Sequence, residues 1–231
     1  MANRRLIAIE GPIGVGKTSL ARRLAEMLDA ELIAESPDDN PFLERFYREP
    51  KAYALATQLH FLVQRWRQMN PLAQAELFNQ RVRVADFLVD KDPLFAELNL
   101  AADEWMLYRE MYFQFSATLP RPDLVVYLQA PVNVLQERIR RRDRRYEQSI
   151  DPAYLARLVD AYTQFFHHYT TSDLVIVNAE NLDWVDRPSD LAELVRFLDE
   201  PVGGRRYFNP VLGGSESGLF DSAALERRSE R

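Results

Sequence analysis

The chain has no cysteine among its 231 residues. That excludes disulfides, thiolate metal sites and a thiol nucleophile, and leaves oxygen as the natural ligand for any divalent cation. No apolar run approaches the roughly 20 residues needed to cross a bilayer, and Met1 to Arg5 runs straight into a strand pattern with no secretory apolar region. A cytoplasmic protein without a membrane partner is expected. Positive charge is also short. The 35 acidic and 29 basic side chains leave a net charge of -6, whereas a general nucleic-acid binder needs a basic surface to displace phosphate counterions. Glycine and lysine are scarce, and their places are informative. All eight glycines lie either at Gly11, Gly14 and Gly16 or beyond Val202, and Lys17, Lys51 and Lys91 are the three lysines in a chain whose other cations are arginine.

The body of the chain thus uses glycine in one place, the run Gly11, Pro12, Ile13, Gly14, Val15, Gly16, Lys17 and Thr18. It matches GxxxxGK[ST], in which glycines let backbone N–H groups close around phosphate oxygens, the lysine adds a point charge and the hydroxyl reaches Mg²⁺. Leu6 to Ile9 before it is a short buried-strand signal, and Leu20, Leu24 and Leu28 after it recur at helical spacing. Further along, Glu31 to Ala34 predicts a second strand ending at Glu35 and Ser36. Asp38, Asp39 and Asn40 supply turn and cap chemistry ahead of a helix opened by Pro41. A helical region broken near Pro50 is expected to end at Asn70 and Pro71. Arg81 to Phe87 predicts a third strand ending in Asp86, and helices fill about Asp92 to Thr118. Leu124 to Leu128 is the fourth strand, followed by helices from Pro131 and from Pro152. Leu174 to Val177 is the fifth strand and Leu191 to Leu198 the last helix. Strands alternating with helices imply right-handed crossovers and one parallel sheet covered on both faces. Its ligand edge would then carry Gly11, Glu35 and Asp86. From Gly203 onward the composition shifts to Gly, Ser, Arg and Glu with no period, which reads as a flexible tail.

Several residues carry two readings. Glu35 either closes its strand as a polar residue or acts as the carboxylate beside a hydroxyl awaiting phosphorylation. Asp86 either caps a helix or holds Mg²⁺ through water. Arg138 and Arg142 share a helical face with Arg144 just beyond, forming either a solvated face or cations that close over phosphates. Gln58 and Arg65 lie two helical turns apart, either a polar pair on a core helix or a contact to a nucleobase edge on which Phe61 stacks. Tyr47 is either packing or a hydroxyl donor to a sugar. His60, His167 and His168 lack metal-ligand spacing.

In this order the residues resemble the deoxynucleoside kinase family, particularly its bacterial deoxyadenosine and deoxyguanosine kinase-like members, over about Arg5 to Leu198. The segments that carry the resemblance are IEGPIGVGKTSLA, DDNPFLERFY, TQLHFLVQR, ADFLVDKDPLFA and RIRRRDRRYEQSI. The first is shared with many kinases, whereas the set is specific. The resemblance implies an α/β P-loop kinase fold, a five-stranded parallel sheet flanked by helices with an arginine-rich lid, over residues 1–202, with the tail at 203–231. It implies transfer of the γ-phosphoryl group of ATP, with Mg²⁺, to the 5′-hydroxyl of a deoxynucleoside, with purines preferred and a homodimer as the assembly. Glu35 would then be the general base, Gln58 would bind the base, and Tyr47 and Glu147 would bind the 3′-hydroxyl. Arg65 would pair with an acid near Asp90 or Asp92 to read the base, and Arg138, Arg142 and Arg144 would belong to the lid. Lys17 and Thr18 would position the phosphates, Thr18 and Asp86 serving Mg²⁺. The chain departs from the family where an arginine usually follows the acid of the third strand, for it has Asp86, Phe87 and Leu88 there. This leaves the metal role of Asp86 open. Ser36 also stands where a proline commonly follows the catalytic acid. Two other classes share the loop. A nucleoside monophosphate kinase needs extra cations for an acceptor phosphate, and a nucleotide-binding regulatory module would carry Asp-x-x-Gly or Asn-Lys-x-Asp patterns that this chain lacks.

Overall fold

The computed structural model describes residues 5–75, 81–142, 144, 146–200 and 203–210. Short aliphatic runs form β1 (Leu6–Glu10), β2 (Glu31–Ile33), β3 (Arg83–Ala85), β4 (Leu124–Gln129) and β5 (Asp173–Asn178), and Arg205–Phe208 adds β6. Every neighbouring pair is parallel, in the order β2-β3-β1-β4-β5-β6. All five residues of β1 and the first five of β4 are buried. Burial on both faces is why these strands read as continuous apolar runs rather than alternating ones.

The helices are α1 (Lys17–Met27), α2 (Leu43–Arg48), α3 (Pro50–Ala75), α4 (Asp92–Asn99), α5 (Ala102–Ser116), α6 (Val132–Arg141), α7 (Pro152–His168) and α8 (Pro188–Asp199). Leu20 and Leu24 of α1 and Leu194 and Leu198 of α8 join Ile7, Ile9, Val125 and Val175 of the sheet in the main core. On α7, Phe166 stacks on Tyr127 of β4 at 4.0 Å between ring centroids. Gly11, Glu35 and Asp86 all follow the carboxyl ends of adjacent strands, as the strand order requires.

Three expectations are corrected. The sheet has six strands, because Arg205–Phe208 pairs with β5 from Leu174 to Val177, so the segment expected to open the tail is part of the sheet. Phe208 is buried against Phe197, and Arg205 donates to the carbonyls of Phe166 and His167. The polar composition hid a strand whose two arginines have partners. Residues 211–231 of the expected tail lie outside the described residues. Second, α3 continues through Pro71 to Ala75. A proline inside a helix costs on the order of 3 kcal/mol; Met69 and Leu72, packed with Leu6, Ile33 and Ala85, hold this turn. Third, the helix expected at Pro41 starts at Leu43, preceded by a 3-10 turn at Pro37–Asp39. The helices expected over about Asp92 to Thr118 are α4 and α5, separated at Leu100, whose backbone is extended.

Candidate active site

The phosphate loop connects β1 to α1, and its shape depends on residues without a Cβ. At Gly14 φ is +84°, and a Cβ there would lie 2.8 Å from the Leu135 carbonyl oxygen and 2.7 Å from the Ile139 side chain. The loop is thereby seated directly against α6. At Gly11 a Cβ would lie 2.5 Å from the Leu128 carbonyl oxygen, so the loop also hugs β4. Lys17 folds back over the loop, its Nζ donating to the carbonyl oxygens of Gly11 at 2.7 Å and Pro12 at 3.3 Å. Burial pulls its pKa down to about 8, against the pull of Glu10 in the other direction.

Beside the loop, Thr18 Oγ1 donates to Asp86 Oδ2 at 2.6 Å, while the backbone N–H of Glu35 donates to Asp86 Oδ1 at 2.6 Å. One buried carboxylate therefore joins the start of α1 to the ends of β2 and β3. Burial raises its pKa, with the Thr18 hydrogen bond acting against that. Asp86 and Thr18 form an oxygen pair of the kind that meets Mg²⁺, a cation that takes one or two protein oxygens and fills its remaining positions with phosphates and water. Among the described residues no group of three or more His, Cys, Asp or Glu gathers as a metal site.

Glu35 faces a cavity of about 410 Å³ that also touches Lys17 and Thr18. Arg65 of α3 grips it, donating from Nε to Glu35 Oε1 at 2.8 Å and from Nη2 to the same oxygen. Nη1 of Arg65 donates to Asp92 Oδ1. Its guanidinium lies over the rings of Phe61 at 5.1 Å and Phe87 at 5.9 Å. Burial alone would raise the Glu35 pKa, but Arg65, followed by Lys91 and Lys17, outweighs it and holds the carboxyl below its ordinary range. The same helix clamps the backbone on either side. Gln64 Nε2 donates to Ser36 O at 3.1 Å and Gln68 Nε2 to Ala34 O at 2.9 Å. Serine in place of the expected proline is thus held from outside the turn.

The cavity brings together most of the residues singled out in the sequence. Tyr47, Gln58, Phe61, Arg65, Arg142, Arg144 and Glu147 line it, as do Ile13 and Gly14 of the loop. Tyr47 stacks on Tyr146 at 5.8 Å. Tyr146 donates through its hydroxyl to Asp38 Oδ1 at 2.6 Å, and Arg144 donates to Glu147 at 3.3 Å and Asp38 at 3.4 Å. A latch therefore joins the turn after β2 to the segment between α6 and α7.

Arg138 and Asp90 line other cavities, that of Arg138 shared with Gly14 to Ser19 and Arg142. Arg138 donates to the carbonyl oxygens of Val15, Ala179, Glu180 and Leu182 at 2.8 to 3.3 Å, bracing the loop against the chain that follows β5. Asp90 lines a separate cavity with Pro93, Leu94 and Tyr169, so the acid that meets Arg65 is Asp92. At the position after Asp86, where the family usually has an arginine, Phe87 is 1% exposed, and Arg65 of α3 is a cation that reaches Glu35.

Sequence reasoning passed over Glu10, Thr57 and Lys91. Glu10 closes an apolar strand and looks like an ordinary strand end, yet it is fully buried and accepts from Gly11 N, Leu88 N and Tyr162 Oη. Thr57 lines the cavity with a buried hydroxyl that has no hydrogen-bond partner among the described residues. Lys91 did leave a signal, being one of three lysines in an arginine-rich chain.

Residues 7–202 match the family model described as deoxynucleoside kinase. The chain is 30% identical over 200 residues to a deoxyguanosine kinase of Bacillus subtilis, covering 85% of this chain and 97% of that protein. It is 30% identical over 212 residues to a deoxyadenosine kinase of Lactobacillus acidophilus, covering 86% and 96%. A solved structure of a deoxyadenosine kinase from M. mycoides, with dCMP and dCDP bound, superposes with a TM-score of 0.73 at 24% identity over 85% of this chain and 100% of that one.

Proposed function

The chain belongs to the deoxynucleoside kinase family and is a phosphotransferase acting on a hydroxyl group, and on that premise we propose that it moves the γ-phosphoryl group of ATP to the 5′-hydroxyl of a purine deoxynucleoside. The observation that carries the reading is the shared cavity, with the phosphate loop on one wall and a carboxylate held by Arg65 on another. Glu35 takes the 5′-hydroxyl proton as the oxygen attacks phosphorus. Lys17 and the loop amides would hold the donor phosphates, and Thr18 and Asp86 would hold Mg²⁺, whose charge would offset that of the phosphate oxygens. Arg142 and Arg144 form the lid over them. Gln58 and Phe61 receive the base by hydrogen bonding and stacking, and Tyr47 and Glu147 receive the 3′-hydroxyl. Glu147 suits this role because its Oε2 is buried without a partner. The preference for purines rests on the relatives named deoxyguanosine and deoxyadenosine kinases. The assembly is a cytoplasmic homodimer, in which a second copy covers Met106, Leu107 and Phe113, each at least half exposed on α5.

Steady-state assays with ATP against deoxynucleosides, ribonucleosides and nucleoside monophosphates test the substrate class. Turnover confined to monophosphates would replace this reading with that of a monophosphate kinase. Glu35→Gln is expected to lower kcat by about 10²–10⁴-fold with ATP affinity kept, and near-normal turnover would remove Glu35 from the role of base.

A further inference from the structure

Lys91 ends the 3-10 turn Val89–Lys91 that precedes α4. It is 3% exposed, yet it lines the same cavity as Glu35, Lys17 and Thr18. Its Nζ lies 3.2 Å from Glu10 Oε2 and 3.4 Å from Glu10 Oε1, and 5.2 Å from the centre of the Phe95 ring. A buried lysine beside a buried glutamate is ordinarily a structural pair, but the hydrogen bonds around Glu10 weigh against that account here. Gly11 N, Leu88 N and Tyr162 Oη already donate to Glu10 at 2.8 to 2.9 Å, so neutral donors take about three of the roughly four acceptor sites on its oxygens. The ammonium approaches at longer range and has three N–H groups, which Glu10 does not exhaust. The two lysines also flank one residue. Lys17 Nζ is bonded to the carbonyl of Gly11, and Lys91 Nζ to the carboxylate that holds the Gly11 N–H.

We propose that Lys91 is a second catalytic cation, whose ammonium contacts the phosphoryl group in transit between the phosphate loop and the hydroxyl facing Glu35. The inference rests on the kinase reading above. In the transfer, the bond from γ-phosphorus to the β,γ-bridging oxygen breaks and its electron pair leaves with ADP. The 5′-oxygen forms the new bond to phosphorus, and its proton goes to Glu35. Lys91 stays protonated throughout and donates an N–H to a non-bridging oxygen of the moving group, where negative charge needs a fixed donor in a water-poor site. Glu10 keeps the ammonium in place.

The test uses the full chain, MgATP and the best deoxynucleoside of the panel. Lys91→Met is expected to lower kcat by about 10²–10³-fold, with the KM for the deoxynucleoside and the Kd for a non-hydrolysable ATP analogue changed less than about threefold. Lys91→Arg is expected to recover part of the loss. Because Lys91→Met leaves Glu10 buried without its cation, the double variant Glu10→Gln/Lys91→Met is assayed as well, with thermal melting as the check on folding. A double variant as slow as the single one supports the proposal. A double variant that regains wild-type kcat shows that Lys91 served only to neutralise Glu10, and overturns it. So does a loss confined to KM or nucleotide affinity, or a Lys91→Met enzyme with normal kcat. Failure of the wild-type chain to phosphorylate any deoxynucleoside overturns the functional reading and this inference together, whereas wild-type turnover that survives Lys91→Met overturns this inference alone.

Discussion

A buried carboxylate can act as a base at neutral pH only if something holds it ionised, and for Glu35, the base proposed above, the principal group is Arg65. Burial pushes its pKa up, and the guanidinium, with Lys91 and Lys17, brings it back below the ordinary value. Arg65→Gln should therefore move the acid limb of kcat/KM to higher pH, because an adjacent opposite charge is lost. A pH profile that keeps its acid limb in place would remove Arg65 from this role. Lys17 sets the other limb. With a pKa near 8 instead of 10.5 in the free protein, it loses its charge as pH rises through about 8, so kcat/KM for ATP should fall with an apparent pKa near that value. The effect on folding runs the other way. A lysine whose folded pKa is depressed is costly to the fold while protonated, and that cost disappears between about pH 8 and 10.5. Bound phosphates reverse the depression, so the limb should be seen in kcat/KM and move to higher pH in kcat.

Among the elements, α3 does the most to organise the acceptor side. A single helical stripe supplies Gln58 and Phe61 to the cavity, Arg65 to Glu35, and Gln64 and Gln68 to the backbone around it. The stripe was half legible in the sequence. Gln58 and Arg65 announced a polar line on an apolar helix, but the partners 30 residues away from Arg65 depend on how β2 lies against α3. Helix α6 plays the matching part on the donor side, through its contact with Gly14. Gly14→Ala puts a Cβ against the Leu135 carbonyl in a left-handed backbone, and a destabilisation of about 1–3 kcal/mol is expected, together with weaker ATP binding. Urea unfolding and nucleotide titration measure the two. A variant with wild-type stability and affinity would show that the loop and α6 are free to part.

At the scale of the whole molecule, the site lies where three neighbouring strands end, and the sheet that fixes those ends runs further than its composition suggests. A chain ending at Pro210 is expected to be more stable than one ending at Gly204 by about 2–4 kcal/mol, the order of burying one large aromatic side chain and its neighbours. Phe208 and the ring contact of Arg206 with Phe197 at 3.9 Å belong to the difference. Equal stability in denaturant would make β6 a passive edge.

The sequence alone determined what is written in short-range order: the phosphate loop, the alternation of strands with helices, the acid at the end of β2 and the polar stripe of α3. Each depends on backbone conformation or side-chain periodicity within a few residues. Tertiary structure decided which charges meet. The resemblance paired Arg65 with an acid near Asp90 or Asp92, and packing made that acid Asp92 and added Glu35. Packing gave Arg138 four carbonyls beside the phosphate loop. It also placed Lys91 against Glu10, 81 residues away in the chain. Strand β6 and the passage of α3 through Pro71 belong to the same class, because in both the deciding free energy is burial against distant residues, which no local pattern contains.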